Sequence, residues 1–98
     1  MEIIKNLNEE KLNVNVKGRL DTTTAPELEN ELKQSLPEIK ELTLDFDGLE
    51  YVSSAGLRVI LAAQKIMNQQ GSMKLCNVND EVMNVLEITG FVDILTIE

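Results

Sequence analysis

The sequence predicts an α/β fold: a mixed β-sheet opened by an antiparallel hairpin, with helices packed on it, in the order β-β-α-β-α-β-α-β. Three observations carry this. Residues near the start alternate apolar and polar with a period of two, three later stretches carry apolar residues at helical spacing, and short apolar runs separate those helices. Helices between strands require crossovers, which are right-handed and pair strands in parallel, while the opening hairpin makes the sheet mixed.

The elements follow in order. Residues 3–7 form the first strand, and Asn8-Glu9-Glu10 is the turn after it. Over residues 11–17, Leu12, Val14 and Val16 fall on one face and Asn13, Asn15 and Lys17 on the other, as in a half-buried strand. Gly18 is expected to end it. Thr24-Ala25-Pro26-Glu27 reads as a capping box, with Thr24 as N-cap, Glu27 three residues on, and Pro26 tolerated in the first turn. Leu28, Leu32 and Leu36 then make one apolar stripe, and Pro37 marks the helix end.

Leu42, Leu44 and Phe46 give the next strand its buried side, and Asp47-Gly48 closes it. A second helix is expected over residues 54–70, with Gly71 as its C′ residue. A short strand covers residues 73–76. A third helix covers residues 80–89, with Val82, Val85 and Leu86 inward and Gly90 as its stop. Residues 94–97 are expected to be the last strand. With no linker, repeat or low-complexity tract, residues 1–98 read as one domain.

Composition narrows the function classes. The 98 residues suit one core, and 43% apolar content sustains it. With no histidine, Ser-His-Asp and Cys-His triads and His-ligated zinc are excluded, and no metal site is expected. The single cysteine, Cys76, cannot close an internal disulfide and is expected to be a buried small hydrophobe. Seventeen acids against nine scattered bases, a net charge of −8, argue against nucleic-acid binding, which needs clustered Lys and Arg. No stretch approaches the ~18 apolar residues of a membrane span, and the start lacks a signal-peptide pattern. A cytoplasmic chain, monomeric when free, is expected.

Residues 50–61, Glu-Tyr-Val-Ser-Ser-Ala-Gly-Leu-Arg-Val-Ile-Leu, are the most informative stretch. Ser53 and Ser54 sit where a loop meets a helix, and a serine there ordinarily caps it. Gly56 follows inside the first turn, where glycine costs about 1 kcal/mol relative to alanine. Something must therefore pack closely on that turn, either the sheet or a partner. Leu57, Ile60, Leu61 and Met67, helped by Val59, Ala63 and Ile66, read as the buried sector of this helix. Arg58, Ala62, Lys65 and Gln69 read as a narrower exposed strip. A phosphate on a serine at this N-terminus would meet free N–H groups and the positive end of the helix dipole.

Taken together, these pieces resemble the STAS family, and within it the single-domain anti-sigma factor antagonists. The resemblance covers nearly the whole chain. It runs through Gly18-Arg19-Leu20-Asp21, Ala25-Pro26-Glu27-Leu28, Leu42-Thr43-Leu44-Asp45-Phe46, Tyr51-Val52-Ser53-Ser54-Ala55-Gly56-Leu57 and Leu86-Glu87-Ile88-Thr89-Gly90-Phe91. In that family a serine in an Asp-Ser-Ser-Gly or Asp-Ser-Thr-Gly sequence is phosphorylated by a kinase that is also an anti-sigma factor. The unmodified antagonist binds the kinase and frees the sigma factor, and a phosphatase restores it after modification.

Aligned on Gly56 and Leu57, the resemblance implies Ser54 as the phosphorylation site. Ser53 stands where the family has aspartate and is a rival site, and Ala55 replaces the second hydroxyl residue. Asp21 matches the acid after the second strand, with either a turn-forming role or contact with partner or nucleotide. The implied partner surface is Asp21, Ser53, Ser54, Ala55, Gly56, Arg58, Ala62 and Lys65. The implied partners are an anti-sigma factor serine kinase, which brings ATP and Mg²⁺, and a serine phosphatase; the chain itself needs no cofactor.

Other classes fit less well. A serine nucleophile needs a base, and the Gly-x-Ser-x-Gly elbow is absent, so the chain is not expected to be an enzyme. Asp45 and Asp47 end a strand as a phosphoacceptor acid would, yet the chain is short for a five-fold βα receiver and opens with a hairpin. The alternative within the resemblance is an unphosphorylated scaffold or accessory subunit of a transporter or stress-signalling complex.

Overall fold

In the computed structural model, which describes residues 1–98, the order is β1 (Glu2–Asn8), β2 (Lys11–Leu20), α1 (Ala25–Ser35), β3 (Glu41–Asp45), β4 (Leu49–Val52), α2 (Ser54–Gln70), β5 (Ser72–Cys76) and α3 (Asp80–Ile88). A short 3-10 turn, Phe91–Asp93, follows. The sheet runs β1-β2-β3-β5, and β4 pairs with the end of β2. β1 and β2 are antiparallel, from Glu2 opposite Lys17 to Asn8 opposite Lys11. The β2–β3, β2–β4 and β3–β5 pairs are parallel. The mixed α/β sheet with its opening hairpin is therefore present.

Register turns the alternation into a core. Leu12, Leu42 and Met73 lie side by side, as do Val14, Leu44 and Leu75, and all six are buried. Asn13, Thr43 and Lys74 occupy the opposite face in register, and that face stays polar and open. α1 and α2 pack against each other. Lys5, in register with buried Val14, reaches α1 on the covered face: its Nζ lies 2.7 Å from Glu31 and 3.2 Å from Ser35 Oγ. Leu28, Leu32 and Leu36 bury the α1 stripe against the sheet, as their spacing predicts.

The structure corrects the element order to β-β-α-β-β-α-β-α. β4 escapes sequence reading because only Leu49 and Val52 of its four residues are buried, so no alternation is visible. The expected last strand over residues 94–97 is absent. Only an isolated bridge from Leu75 to Ile97 forms, since the chain first coils through the 3-10 turn. Nor does Gly18 end β2. It sits inside the strand at φ +93°, where the register with β4 shifts, and its N–H donates to the Gly48 carbonyl at 2.9 Å. A glycine meets that backbone without strain.

Three local readings also change. The capping box does not form: Thr24 has helical φ and ψ of −101° and −21° and makes no side-chain cap. Gly71 is extended rather than left-handed; a Cβ there would collide with the Lys40 carbonyl, so close approach selects the glycine. Cys76 is half-buried rather than buried. Burial, with the Asp45 carboxylate next in effect, pushes its thiol above its ordinary value.

Candidate functional site

Two strand-to-helix turns meet at one end of the sheet. The first leaves β2 at Leu20 and enters α1; the second leaves β4 at Val52 and enters α2. They are joined directly, because the Ser53 N–H donates to the Leu20 carbonyl at 2.9 Å.

In the first turn Asp21 is the organiser. Its Oδ1 accepts from the Thr23 hydroxyl at 2.7 Å, the Thr23 N–H at 3.0 Å and the Thr24 N–H at 3.2 Å. The Thr24 hydroxyl accepts from the Asp21 N–H at 2.8 Å and donates to the Arg19 carbonyl at 2.8 Å. The Thr23 hydroxyl bond, then the backbone N–H bonds from Thr23 and Thr24, outweigh desolvation and hold the Asp21 carboxyl below the ordinary carboxylate value. Of its two sequence-level roles, turn formation is the one visible here. Arg19 stacks on the Tyr51 ring, 4.4 Å from the centroid, a pair created by their β2–β4 register and invisible in sequence without β4.

The second turn divides its two serines. Ser53 is the N-cap, in extended conformation at φ −92° and ψ 176°, and its Oγ accepts from the Gly56 N–H at 3.4 Å. Its carbonyl accepts from the Leu57 N–H at 2.9 Å. Ser53 is half-buried, whereas Ser54, the first helical residue, is exposed. Gly56 is explained by the sheet: a Cβ there would lie 2.7 Å from Leu20 Cγ and 3.1 Å from the Leu20 carbonyl oxygen. The first turn of α2 thus rests on the end of β2, and Ser54 faces away from that contact.

Arg58, Ala62 and Lys65 are exposed and Ala55 is half-buried, so the strip predicted along α2 is present. Neither Arg58 nor Lys65 takes part in any of the chain's ion pairs. Two inward assignments need correction: Ile66 is 39% exposed and Leu61 is half-buried. Gln64, polar and therefore not assigned inward, is buried, with its Nε2 donating to Asn68 Oδ1 at 2.8 Å. Sequence reasoning also missed the α1 wall. Ala55, Arg58 and Val59 face Thr22, Ala25, Pro26 and Glu29 across a groove. That groove continues between Leu32, Lys33 and Leu36 on one side and Ala62, Ala63 and Ile66 on the other. The signal available was the short β-α-β-β-α connection, which sets both helices on one face.

The family model for the STAS domain matches residues 2–98. The chain belongs to the STAS domain family. Among curated proteins this STAS domain is 32% identical over 91 residues to the anti-sigma-B factor antagonist of Bacillus subtilis, covering 92% of this chain and 84% of that one. Among solved structures it superposes on the anti-sigma factor antagonist SpoIIAA in its unphosphorylated form with a TM-score of 0.85 and 15% identity, covering 99% of this chain and 88% of SpoIIAA. It also superposes on a sulfate transporter family protein of Wolinella succinogenes with a TM-score of 0.78 and 18% identity, covering 93% and 75%. At those identities the two likenesses establish the fold alone. No helix of the STAS domain is long and apolar enough to cross a membrane.

Proposed function

We propose that this STAS domain is an anti-sigma factor antagonist switched by phosphorylation of Ser54. In its unmodified form it binds an anti-sigma factor serine kinase through Ser54, Ala55, Gly56, Arg58, Ala62 and Lys65, flanked by Asp21 and Ser53, and so releases a sigma factor. Arg58 and Lys65 pair with acids on the kinase, while Ala55 and Ala62 permit close approach. The observation that carries this reading is the division of labour between the serines: Ser53 Oγ is engaged in the helix cap, and Ser54 is exposed beside unpaired Arg58. The B. subtilis relative's name supports the class.

The chain contributes an acceptor hydroxyl and a docking surface, not catalysis. The kinase supplies ATP and Mg²⁺. The Ser54 oxygen attacks the γ-phosphorus, its proton passes to the kinase's base, and ADP leaves. The phosphate then adds roughly −1.5 to −2 charge to a chain already at −8. The helix N-terminus accommodates it, so the fold persists while the docking surface loses its net positive charge. A serine phosphatase hydrolyses the ester and restores binding. The second reading, an unphosphorylated accessory subunit of a transporter or stress-signalling complex, draws on the fold it shares with the Wolinella protein.

The test is incubation with ATP and each anti-sigma factor kinase encoded in the same genome, followed by mass spectrometry. One phosphate on Ser54, absent in Ser54→Ala, is expected. Modification of Ser53 alone moves the switch to the rival serine and overturns the assignment to Ser54. Modification at neither serine, with no ATP-dependent binding, sinks the switch and favours the accessory reading.

A further inference from the structure

A phosphate on Ser54 has a ready reader within the same chain. Ser54 and Arg58 are four residues apart on α2, so they lie on one face, with Cβ atoms about 5–6 Å apart in such a pair. Helical side chains lean toward the N-terminus, which puts Ser54 within reach of the Arg58 guanidinium. Arg58 is exposed and holds no carboxylate. The first turn of α2 has no acidic residue, unlike α1 with Glu27 and α3 with Asp80 and Glu81. A phosphate there meets no like charge on its own turn.

Three other charges bear on the pair. Asp21, on the adjoining turn, keeps its carboxylate engaged with Thr23, Thr24 and Arg19. Glu29 faces Arg58 across the α1–α2 groove, yet it lies beyond ion-pair range and carries a single charge against nearly two on a phosphate. Lys65 lies eleven residues from Ser54, roughly 16 Å along the helix, which exceeds the ~8–10 Å screening length at ordinary salt. Arg58 is the cation placed to respond.

We infer that Arg58 reads the phosphate on Ser54: modification draws its guanidinium one helical turn back onto the phosphate and out of the groove between α1 and α2. The switch then acts twice. It adds negative charge at Ser54, and it withdraws the cation that an acidic partner surface meets in the unmodified state. This rests on Ser54 being the modified residue, but its geometry can be tested without any kinase.

Phosphoserine is placed at position 54 during translation, and the second ionisation of the phosphate is followed by ³¹P NMR titration. It is expected to fall about 0.2–0.4 unit lower in the native background than in Arg58→Gln. Lys65→Gln, which removes the same charge from the same helix, is expected to leave it unchanged. An Arg58→Gln titration that matches the native one overturns the inference, as does an equal shift in Lys65→Gln, which would reveal only the long-range field. Failure of the kinase assay above with a positive titration removes the proposed function and keeps the pair. The reverse pattern keeps the function and removes the pair.

Discussion

The two turns that meet at Leu20 have similar ingredients and opposite outcomes. Before α1, the side chains of Asp21, Thr23 and Thr24 bond to one another and to the backbone, and the turn closes on itself. Before α2, Ser53 caps the helix and Ser54 stands exposed. The contrast teaches how to separate structural hydroxyls from available ones. A hydroxyl in a self-satisfied turn stabilises the fold and is hard for a partner to reach. One left outside the cap costs the fold little and stays open to solvent.

The strongest way to break the comparison is at the contact both turns share. Gly56→Ala places a methyl 2.7 Å from Leu20 Cγ and 3.1 Å from its carbonyl. It is expected to destabilise by about 1–3 kcal/mol through overpacking, despite alanine's better helix propensity. Urea denaturation measures this; a variant as stable as the native chain would show that α2 does not rest on β2 as described.

A smaller effect sharpens the difference between the serines. Ser53→Ala removes a cap whose bond is long at 3.4 Å, so a loss near the low end of the usual range, about 0.5–1 kcal/mol, is expected. Ser54→Ala should stay within about 0.5 kcal/mol of native, as a surface change does. Equal losses in the two variants would erase the division of labour.

The subtlest test concerns the first turn. Asp21 has its folded pKa below the unfolded value, so its bonds stabilise the fold fully above the ordinary carboxylate value of 3.8. That contribution is lost as pH falls through the depressed folded value. Asp21→Asn cannot titrate, so its thermal midpoint should show a shallower decline across that acidic range. Parallel declines in the two proteins would show that the carboxylate is not held by the turn.

Much of this was legible in the residues. The alternation of Leu12, Val14 and Val16, the stripe of Leu28, Leu32 and Leu36, and the limits of α2 follow from periods of two and 3.6 acting on burial. The Ser53-Ser54 pair could be placed at a helix start, but which serine caps it could not, because both are good N-caps and the choice turns on one residue of register. β4 and the Arg19–Tyr51 stack were illegible for a related reason: a four-residue strand has too few positions to show a period.

The sequence by itself determined the fold class, the exposed strip of Arg58, Ala62 and Lys65, and the need for a close contact at Gly56. Local periodicity and glycine chemistry act within a few residues and leave their mark in order along the chain. Only the tertiary structure decided that Leu20 is what Gly56 touches, that Asp21 is held in its own turn, and that α1 forms the second wall of the groove beside Arg58. The Asp21 turn spans only a few residues, but its sequence left two roles open. The Leu20–Gly56 contact and the groove join residues about 30 to 40 positions apart, brought together by parallel pairing of β2 with β3 and β4, and no local pattern encodes that distance.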